Sequence, residues 1–258
     1  MKYINHNKFF RTAQTHFPLL AEIKPWIQQQ YGLYTNKPFE ADFNALRLFP
    51  AARLYIDVGA NRGQSIAAIR MTAKKPRIVS FDANSFLAEK LRIKFCKCED
   101  VKIFFFGLGA TDGDFTLYIP KYRNYLFDGL ASIDYDEAMS WLSNKTIYNF
   151  DQSKLSFKAI KCRLKTLDSF DLSPFFIKLD IQGYELNALK GAERTLINHA
   201  PILLTETPSE DLCEYIKQFG YQSYFFDNKF FYRGNNFKLN LFFMTDEKAS
   251  LVAKYIKN

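Results

Sequence analysis

The chain is predicted to be an α/β protein built on a mostly parallel sheet of seven strands, with an antiparallel strand near the C-terminal end and a helical N-terminal extension. Three observations lead there. From residue 54 onward, apolar strand-like runs alternate with amphipathic helix-like runs, the pattern of a parallel sheet with helices on both faces. The run Tyr55-Ile56-Asp57-Val58-Gly59-Ala60-Asn61-Arg62-Gly63-Gln64-Ser65 passes from strand through a small-residue turn into a helix start. Three further apolar runs end in acids, at Asp82, Asp180 and Glu206.

Residues 1–50 form the extension. Residues 17–23 read as a short amphipathic turn or two, Phe43, Leu46 and Phe49 recur at helical spacing, and Pro18, Pro25, Pro38 and Pro50 punctuate the segment. Such a prefix serves as a cover over a ligand mouth, or as a packing or dimer contact, so a homo-oligomer stays open. His6 and His16 are expected at the surface.

Residues 51–258 form the main domain. After the first strand, Ile66, Ala67, Ile69 and Arg70 carry a helix that Pro76 stops, and the second strand, 77–81, ends at Asp82. Asn84 is placed to cap a helix whose apolar face is Phe86, Leu87, Leu91 and Phe95. The third strand, 101–106, runs into Gly107-Leu108-Gly109-Ala110, and Asp112-Gly113 signals a turn before 115–119, hence an inserted hairpin. The excursion over about 112–153 is rich in rings: Tyr122, Tyr125, Phe127, Trp141, Tyr148 and Phe150. It serves either as a lid or substrate wall, whose aromatic faces suit a sugar ring or acyl chain, or as a satellite core.

A strand at 157–164 follows, then a central strand at 175–179 ending in Asp180, with Gly183 permitting a sharp turn and Glu185 opening the next helix. Residues 201–206 form a buried strand ending in Glu206, and 209–219 a helix. Two last strands, 221–226 and 239–245, are joined by a hairpin-like connection at 232–236, so one of them runs antiparallel. A basic, helix-like tail covers 247–257.

A strand that runs into a glycine turn leaves the first N–H groups of the next helix open to a ligand. Gly59 and Gly63 admit backbone angles or close approaches that a side chain forbids, and Asn61 tolerates the left-handed region. A dinucleotide fingerprint would carry glycine where Asn61 stands. Asp57 would also repel a pyrophosphate, whereas it suits an ammonium or sulfonium. S-adenosylmethionine carries both. Asp82, 25 positions past Asp57, stands where a carboxylate accepts ribose hydroxyls.

The first motif resembles that of class I methyltransferases, and Asp57-Val58-Gly59-Ala60-Asn61 resembles the FkbM family in particular. Lys178-Leu179-Asp180-Ile181-Gln182-Gly183-Tyr184-Glu185, followed by Leu189-Lys190-Gly191-Ala192, is similar to that family's second motif, with Gln182 replacing a glutamate. Around Asp82-Ala83-Asn84 the family's glutamate is shortened and its proline lost. The resemblance covers roughly residues 54–245. It implies a Rossmann-like class I methyltransferase fold and S-adenosylmethionine held by Asp57, Gly59, Ala60, Asn61, Gly63, Asp82 and Ala83. It implies methyl transfer to a hydroxyl, expected to be that of a sugar in a glycan, glycolipid or secondary metabolite.

In-line transfer to a hydroxyl needs alignment and removal of a proton. Asp180, Glu185 and Glu206 are the candidates, with Asp180 as base; alternatively Asp180 and Glu206 hold Mg²⁺ or another divalent cation, or Glu185 and Glu206 cap helices or pair with lysines. The rival readings are an RNA ribose 2′-O-methyltransferase and a non-catalytic cofactor-binding partner protein. The formal charge of +8 permits nucleic acid, but the lysines form no stripe, so a nucleic-acid partner is not expected. Four cysteines without framework spacing fit a reducing cytoplasm. Residues 1–11 show no signal-peptide core, and no apolar run approaches the roughly 18 residues that span a bilayer.

Overall fold

A computed structural model describes residues 2–18, 20, 23, 27, 32, 34–51, 53–234 and 240–257. Parts of the expected turn at 17–23 and of the 232–236 connection, together with Pro25 and Leu239, lie outside the described residues. The chain packs as two compact units, residues 1–30 with 114–162, and 31–113 with 163–258. The boundary expected at residue 50 falls inside the second unit.

In chain order the described elements begin with α1 (Lys2–His16), a 3-10 helix (Ala41–Leu48), β1 (Leu54–Val58), α2 (Gln64–Thr72), β2 (Arg77–Phe81), α3 (Ser85–Lys94) and β3 (Val101–Phe104). The middle of the chain holds β4 (Gly107–Leu108), β5 (Gly113–Tyr122), β6 (Tyr125–Leu126), α4 (Tyr135–Ser140) and β7 (Leu155–Lys165). Then come β8 (Phe176–Leu179), α5 (Glu185–Lys190), α6 (Glu193–His199), β9 (Ile202–Glu206), α7 (Glu210–Lys217), β10 (Gln222–Phe226), β11 (Phe231–Arg233), β12 (Asn240–Met244), α8 (Asp246–Ser250) and β13 (Ile256–Lys257).

The second unit is built on one sheet in the order β13-β11-β10-β12-β9-β8-β1-β2-β3. Strands β3, β2, β1, β8 and β9 are mutually parallel, and β12 runs antiparallel between β9 and β10. Nine described strands therefore stand where seven were expected. The two extra ones lie at the edge: β11 pairs antiparallel with β10 and overlaps the start of the stretch read as a turn, and β13 pairs parallel with β11 at the end of the tail read as helical. In both cases an edge strand supplied unpaired backbone groups for a short segment to join.

Side chains alternate across the sheet. Tyr55, Phe176, Ile202, Leu204, Phe242 and Met244 face a core that the 3-10 helix closes with Phe43, Ala45, Leu46 and Phe49, each at most 1% exposed. Ile56, Val58, Ile177, Leu179, Leu203 and Phe243 face the opposite core with Leu189, Leu196 and Leu212 from the helices α5, α6 and α7. Helix α3 departs from expectation in one residue: Leu87, Leu91 and Phe95 are buried, but Phe86 stays 53% exposed. Asn84 does cap it, its side chain accepting from the Phe86 N–H at 3.2 Å.

The first unit carries α1, β6, α4 and most of β5 and β7. Its hairpin turns at Arg123-Asn124, where Arg123 is left-handed and Tyr122 pairs with Tyr125, rather than at Asp112-Gly113. The Asp112 carboxylate instead receives the Thr166 N–H at 3.0 Å and the Lys165 ammonium. Tyr122, Phe127, Leu142 and Ile147 form this unit's own core, with Phe150 stacked on Tyr122 at 5.1 Å. Most of the rings that suggested a wall therefore fill an interior. Among the described residues no helix is long and apolar enough to cross a membrane.

Candidate functional site

Strand order reverses between β1 and β8, the position at which open α/β sheets bind ligands beyond the carboxyl ends of their strands. On one side of that point stands the glycine turn. Gly59 has φ +86° and its N–H donates to Phe81 O at 2.9 Å. A Cβ built on it would lie 2.0 Å from the Asp180 carbonyl oxygen, so glycine is what lets the β1 and β8 tips meet. Asn61 is left-handed at φ +48°, Ala60 is buried, and Gly63, at φ +80°, opens α2.

Asp57 is fully buried beneath this turn. Ser80 Oγ donates to its Oδ2 at 3.2 Å, while its Oδ1 has no hydrogen-bond partner among the described residues. Burial lifts its carboxyl above the ordinary carboxylate range, helped by the Asp180 charge and against the pull of the Lys178 charge and the Ser80 and Ser65 hydroxyls. An orphaned buried carboxylate oxygen costs stability unless something cationic or hydrogen-bonding meets it.

Asp82 ties the second strand to the same turn. Its Oδ2 accepts the Asn61 N–H and its Oδ1 the Asn84 N–H, both at 2.8 Å. Ala83 is half-buried between Asp82 and the capping Asn84.

On the other side of the reversal, Lys178 is 4% exposed and its ammonium contacts Asp180 Oδ2 at 2.9 Å. Burial pushes that lysine toward losing its proton, but Asp180, Asp57 and Glu40 outweigh it and hold the charge. Gln182 Nε2 donates to Asp180 Oδ1 at 3.3 Å, so the amide that replaces the family's carboxylate engages the oxygen a carboxylate would repel. The side chain of Glu206, exposed at the tip of β9, makes no hydrogen bond among the described residues. Burial first, and the Asp180 charge second, raise its carboxyl.

Glu185 goes elsewhere. Its Oε1 accepts the Ile181 N–H at 3.0 Å and the Gly183 N–H at 3.2 Å, fastening the left-handed turn at Gln182-Gly183. Glu185→Ala is therefore expected to destabilise the fold by about 1–3 kcal/mol, whereas Glu185→Gln, which keeps an accepting oxygen, stays near wild type. Urea unfolding midpoints of the two variants check this.

Two residues escaped the sequence reading. Glu40, just before the 3-10 helix, lies near enough to Lys178, Asp180 and Glu206 to feel all three, and burial lifts its carboxyl. Asp42 Oδ2 accepts from Asn240 Nδ2 at 2.8 Å, and Asn240 is the register partner of Glu206. The available signal was a pair of acids two apart directly ahead of an apolar helical run. Among the described residues no three His, Cys, Asp or Glu side chains converge as a metal centre built from the protein alone would require.

A family model described as the methyltransferase FkbM domain matches residues 57–223. No curated protein matches the chain significantly. Among solved structures, the chain is similar to methyltransferase FkbM from Methylobacillus flagellatus at 19% identity and a TM-score of 0.48, over 75% of this chain and 43% of that one. It thus spans less than half of that relative's length. It is also similar to precorrin-6y C5,15-methyltransferase from Geobacter metallireducens at 12% identity and a TM-score of 0.37, over 78% of this chain and 84% of that one. An O-methyltransferase from Bacillus cereus in complex with SAH aligns at 12% identity and a TM-score of 0.38, over 85% of this chain and 90% of that one. Because the family model covers more than half of the sequence, from Asp57 through the Asp180 turn to β10, the chain belongs to the FkbM methyltransferase domain family.

Proposed function

We propose that the chain is an S-adenosylmethionine-dependent O-methyltransferase whose acceptor is a hydroxyl, that of a sugar in a glycan, glycolipid or secondary metabolite. The observation that carries the donor assignment is the buried Asp57 Oδ1 without a partner beneath the glycine turn. That atom suits an ammonium, and the Asp82 carboxylate at the tip of β2 suits ribose hydroxyls. Gly59, Ala60, Asn61, Gly63 and Ala83 shape the backbone around them. When bound, S-adenosylmethionine supplies a methyl group activated by its sulfonium.

The chain's own work is then to align the acceptor and take its proton. Asp180 is held by Lys178 and Gln182 at the reversal of strand order, where it accepts a hydrogen bond from the acceptor hydroxyl. Asp180 is the group that takes up the proton, and Glu206, exposed at the tip of β9 with its carboxyl raised by partial burial and by the Asp180 charge, supports it. Glu185 supports both by holding the turn. The sugar assignment rests on the family and on the oxygen-directed acids.

The test is calorimetry with S-adenosylhomocysteine, followed by S-adenosylhomocysteine release from S-adenosylmethionine on fractionated glycan and glycolipid extracts. Asp180→Asn is expected to lower turnover about 100-fold or more, with product affinity kept within about threefold. Undiminished methylation would remove Asp180 from the mechanism. No heat with the donor or its product, alongside tight binding of a nicotinamide dinucleotide, would overturn the whole reading.

A further inference from the structure

Helix α3 turns Leu87, Leu91 and Phe95 into the core and shows a different face to solvent. On that face Phe86, Lys90 and Ile93 recur at the i, i+4 and i+7 spacing that aligns side chains along a helix, and Lys97 follows in the turn past its end. Phe86 is 53% exposed, Ile93 65%, and both lysines are exposed. Beside them lies Phe105, 37% exposed directly after β3, with the Arg92 guanidinium 5.8 Å from its ring centroid. Residues 83–98 hold four cations, Lys90, Arg92, Lys94 and Lys97, against one acid, Glu89, which pairs with Arg92 at 3.0 Å. Lysines that form no stripe along the sequence are thus gathered by the helix into one, with large apolar side chains set among them.

Strand β3 is an edge of the main sheet among the described strands. Phe105 follows its carboxyl end, and Phe86 stands in the first turn of α3, four residues past Asp82 at the carboxyl end of β2. Both rings therefore lie at the strand ends where the glycine turn and Asp82 form the candidate donor site. The helix is also fastened to that turn. The Lys94 ammonium donates to Arg62 O at 3.2 Å, and a Cβ built on Gly63 would lie 2.8 Å from Leu91 Cδ2.

We propose that the outer face of α3, together with Phe105, docks the chain on the surface of an anionic phospholipid bilayer. Exposed cations meet lipid phosphates, and apolar side chains set among them sink into the boundary between headgroups and acyl chains. Two other occupants fit worse. A nucleic-acid backbone rewards the cations but not an aliphatic Ile93 placed between Lys90 and Lys97. A second copy seated isologously would set these cations against themselves, with a single acid on each side to offset them. Contact is with the surface, since among the described residues no helix is long and apolar enough to cross the bilayer. Docked this way, the candidate donor site opens next to the membrane, and the acceptor is a glycolipid whose headgroup hydroxyl is presented there, a narrowing that rests on the methyltransferase reading.

The test is flotation of the full chain with vesicles of phosphatidylcholine alone and of phosphatidylcholine with phosphatidylserine, which needs neither donor nor acceptor. The wild type is expected to float with the anionic vesicles, to stay behind with the neutral ones, and to bind less in high salt. The double variant Lys90→Glu with Lys97→Glu should lower vesicle affinity more than about tenfold. Phe86→Ser with Ile93→Ser should lower it about tenfold. Lys254→Glu, just ahead of the opposite sheet edge at β13, should leave it unchanged. All these side chains are exposed, so urea midpoints should stay at the wild-type value and separate a loss of binding from a loss of fold. No flotation of the wild type, equal flotation with neutral vesicles, or full binding by the charge-reversed variant overturns the proposal. So does tighter binding to single-stranded RNA than to anionic vesicles, or a dimer in sedimentation that Phe86→Ser with Ile93→Ser dissolves. A wild type that floats with anionic vesicles but gives no heat with S-adenosylhomocysteine upholds the docking surface and refutes the methyltransferase reading, so the two fail separately.

Discussion

Gly59→Ala is expected to lower the unfolding free energy by about 4 kcal/mol, the largest effect of any single methyl group added to this chain. Two costs coincide there. The added Cβ would lie 2.0 Å from the Asp180 carbonyl oxygen, a backbone atom that cannot swing aside, and φ is +86°. Two other glycines separate these costs. Gly183 has φ +87° but nothing within 4 Å of its virtual Cβ, so Gly183→Ala carries the backbone strain alone, about 1–2 kcal/mol. Gly191 has an ordinary φ of −82°, and its Cβ would lie 1.9 Å from Gly109 O, so Gly191→Ala carries the overlap alone, about 1–3 kcal/mol. Urea midpoints should therefore fall furthest for Gly59→Ala. Equal midpoints for Gly59→Ala and Gly183→Ala would mean that the β1 and β8 tips are not in close contact.

The second large effect is a separation of binding from stability at Asp57. Asp57→Asn should weaken S-adenosylhomocysteine about 30- to 100-fold, the loss of a charge-assisted hydrogen bond worth about 2–3 kcal/mol. The melting temperature should nevertheless stay at or above that of the wild type, because a fully buried carboxylate with an unpartnered oxygen is a burden on the empty fold.

The sign with pH follows. Burial raises the Asp57 carboxyl above its ordinary 3.8. The folded state therefore holds that proton longer than the unfolded chain does. Its contribution to stability is largest below 3.8 and shrinks as pH climbs through the raised value. Asparagine escapes that loss, so the difference in melting temperature between Asp57→Asn and wild type should widen as pH rises across that window. Lys178 has the same sign at higher pH: its raised affinity for a proton contributes stability that is fully present below 10.5 and is lost as pH rises beyond it. A melting temperature several degrees below wild type at neutral pH would show instead that Asp57 is chiefly the partner of Lys178.

Much of the site was legible because its signals are local. A strand ending in Asp57, two glycines and Asn61 in a five-residue turn, and an acid at the next strand tip are dictated by backbone geometry that neighbouring residues control. Asn84 as a cap was readable for the same reason. The misreadings share a cause as well. Phe86 sits within helical spacing of Leu87 and Leu91, but which edge of an apolar stripe is covered depends on the partner surface, and here the edge stays open. The rings of 120–153 and the tail at 247–257 were ambiguous because ring-filled interior and exposed wall, or helix end and edge strand, look alike in composition.

By itself the sequence determined the alternation of strands and helices, the turn after β1, and the presence of carboxylates at the strand ends, since each depends on residues only a few positions apart. Only the tertiary structure decided which of those acids face one another. Lys178 stands beside Asp57 through the register of β1 on β8, Glu185 turns back onto the amides of its own loop, and Phe43, Leu46 and Phe49 seat a distant segment over the same sheet face. Strand register and the packing of remote segments are settled by burial summed over the whole core, and no spacing along the chain records the outcome.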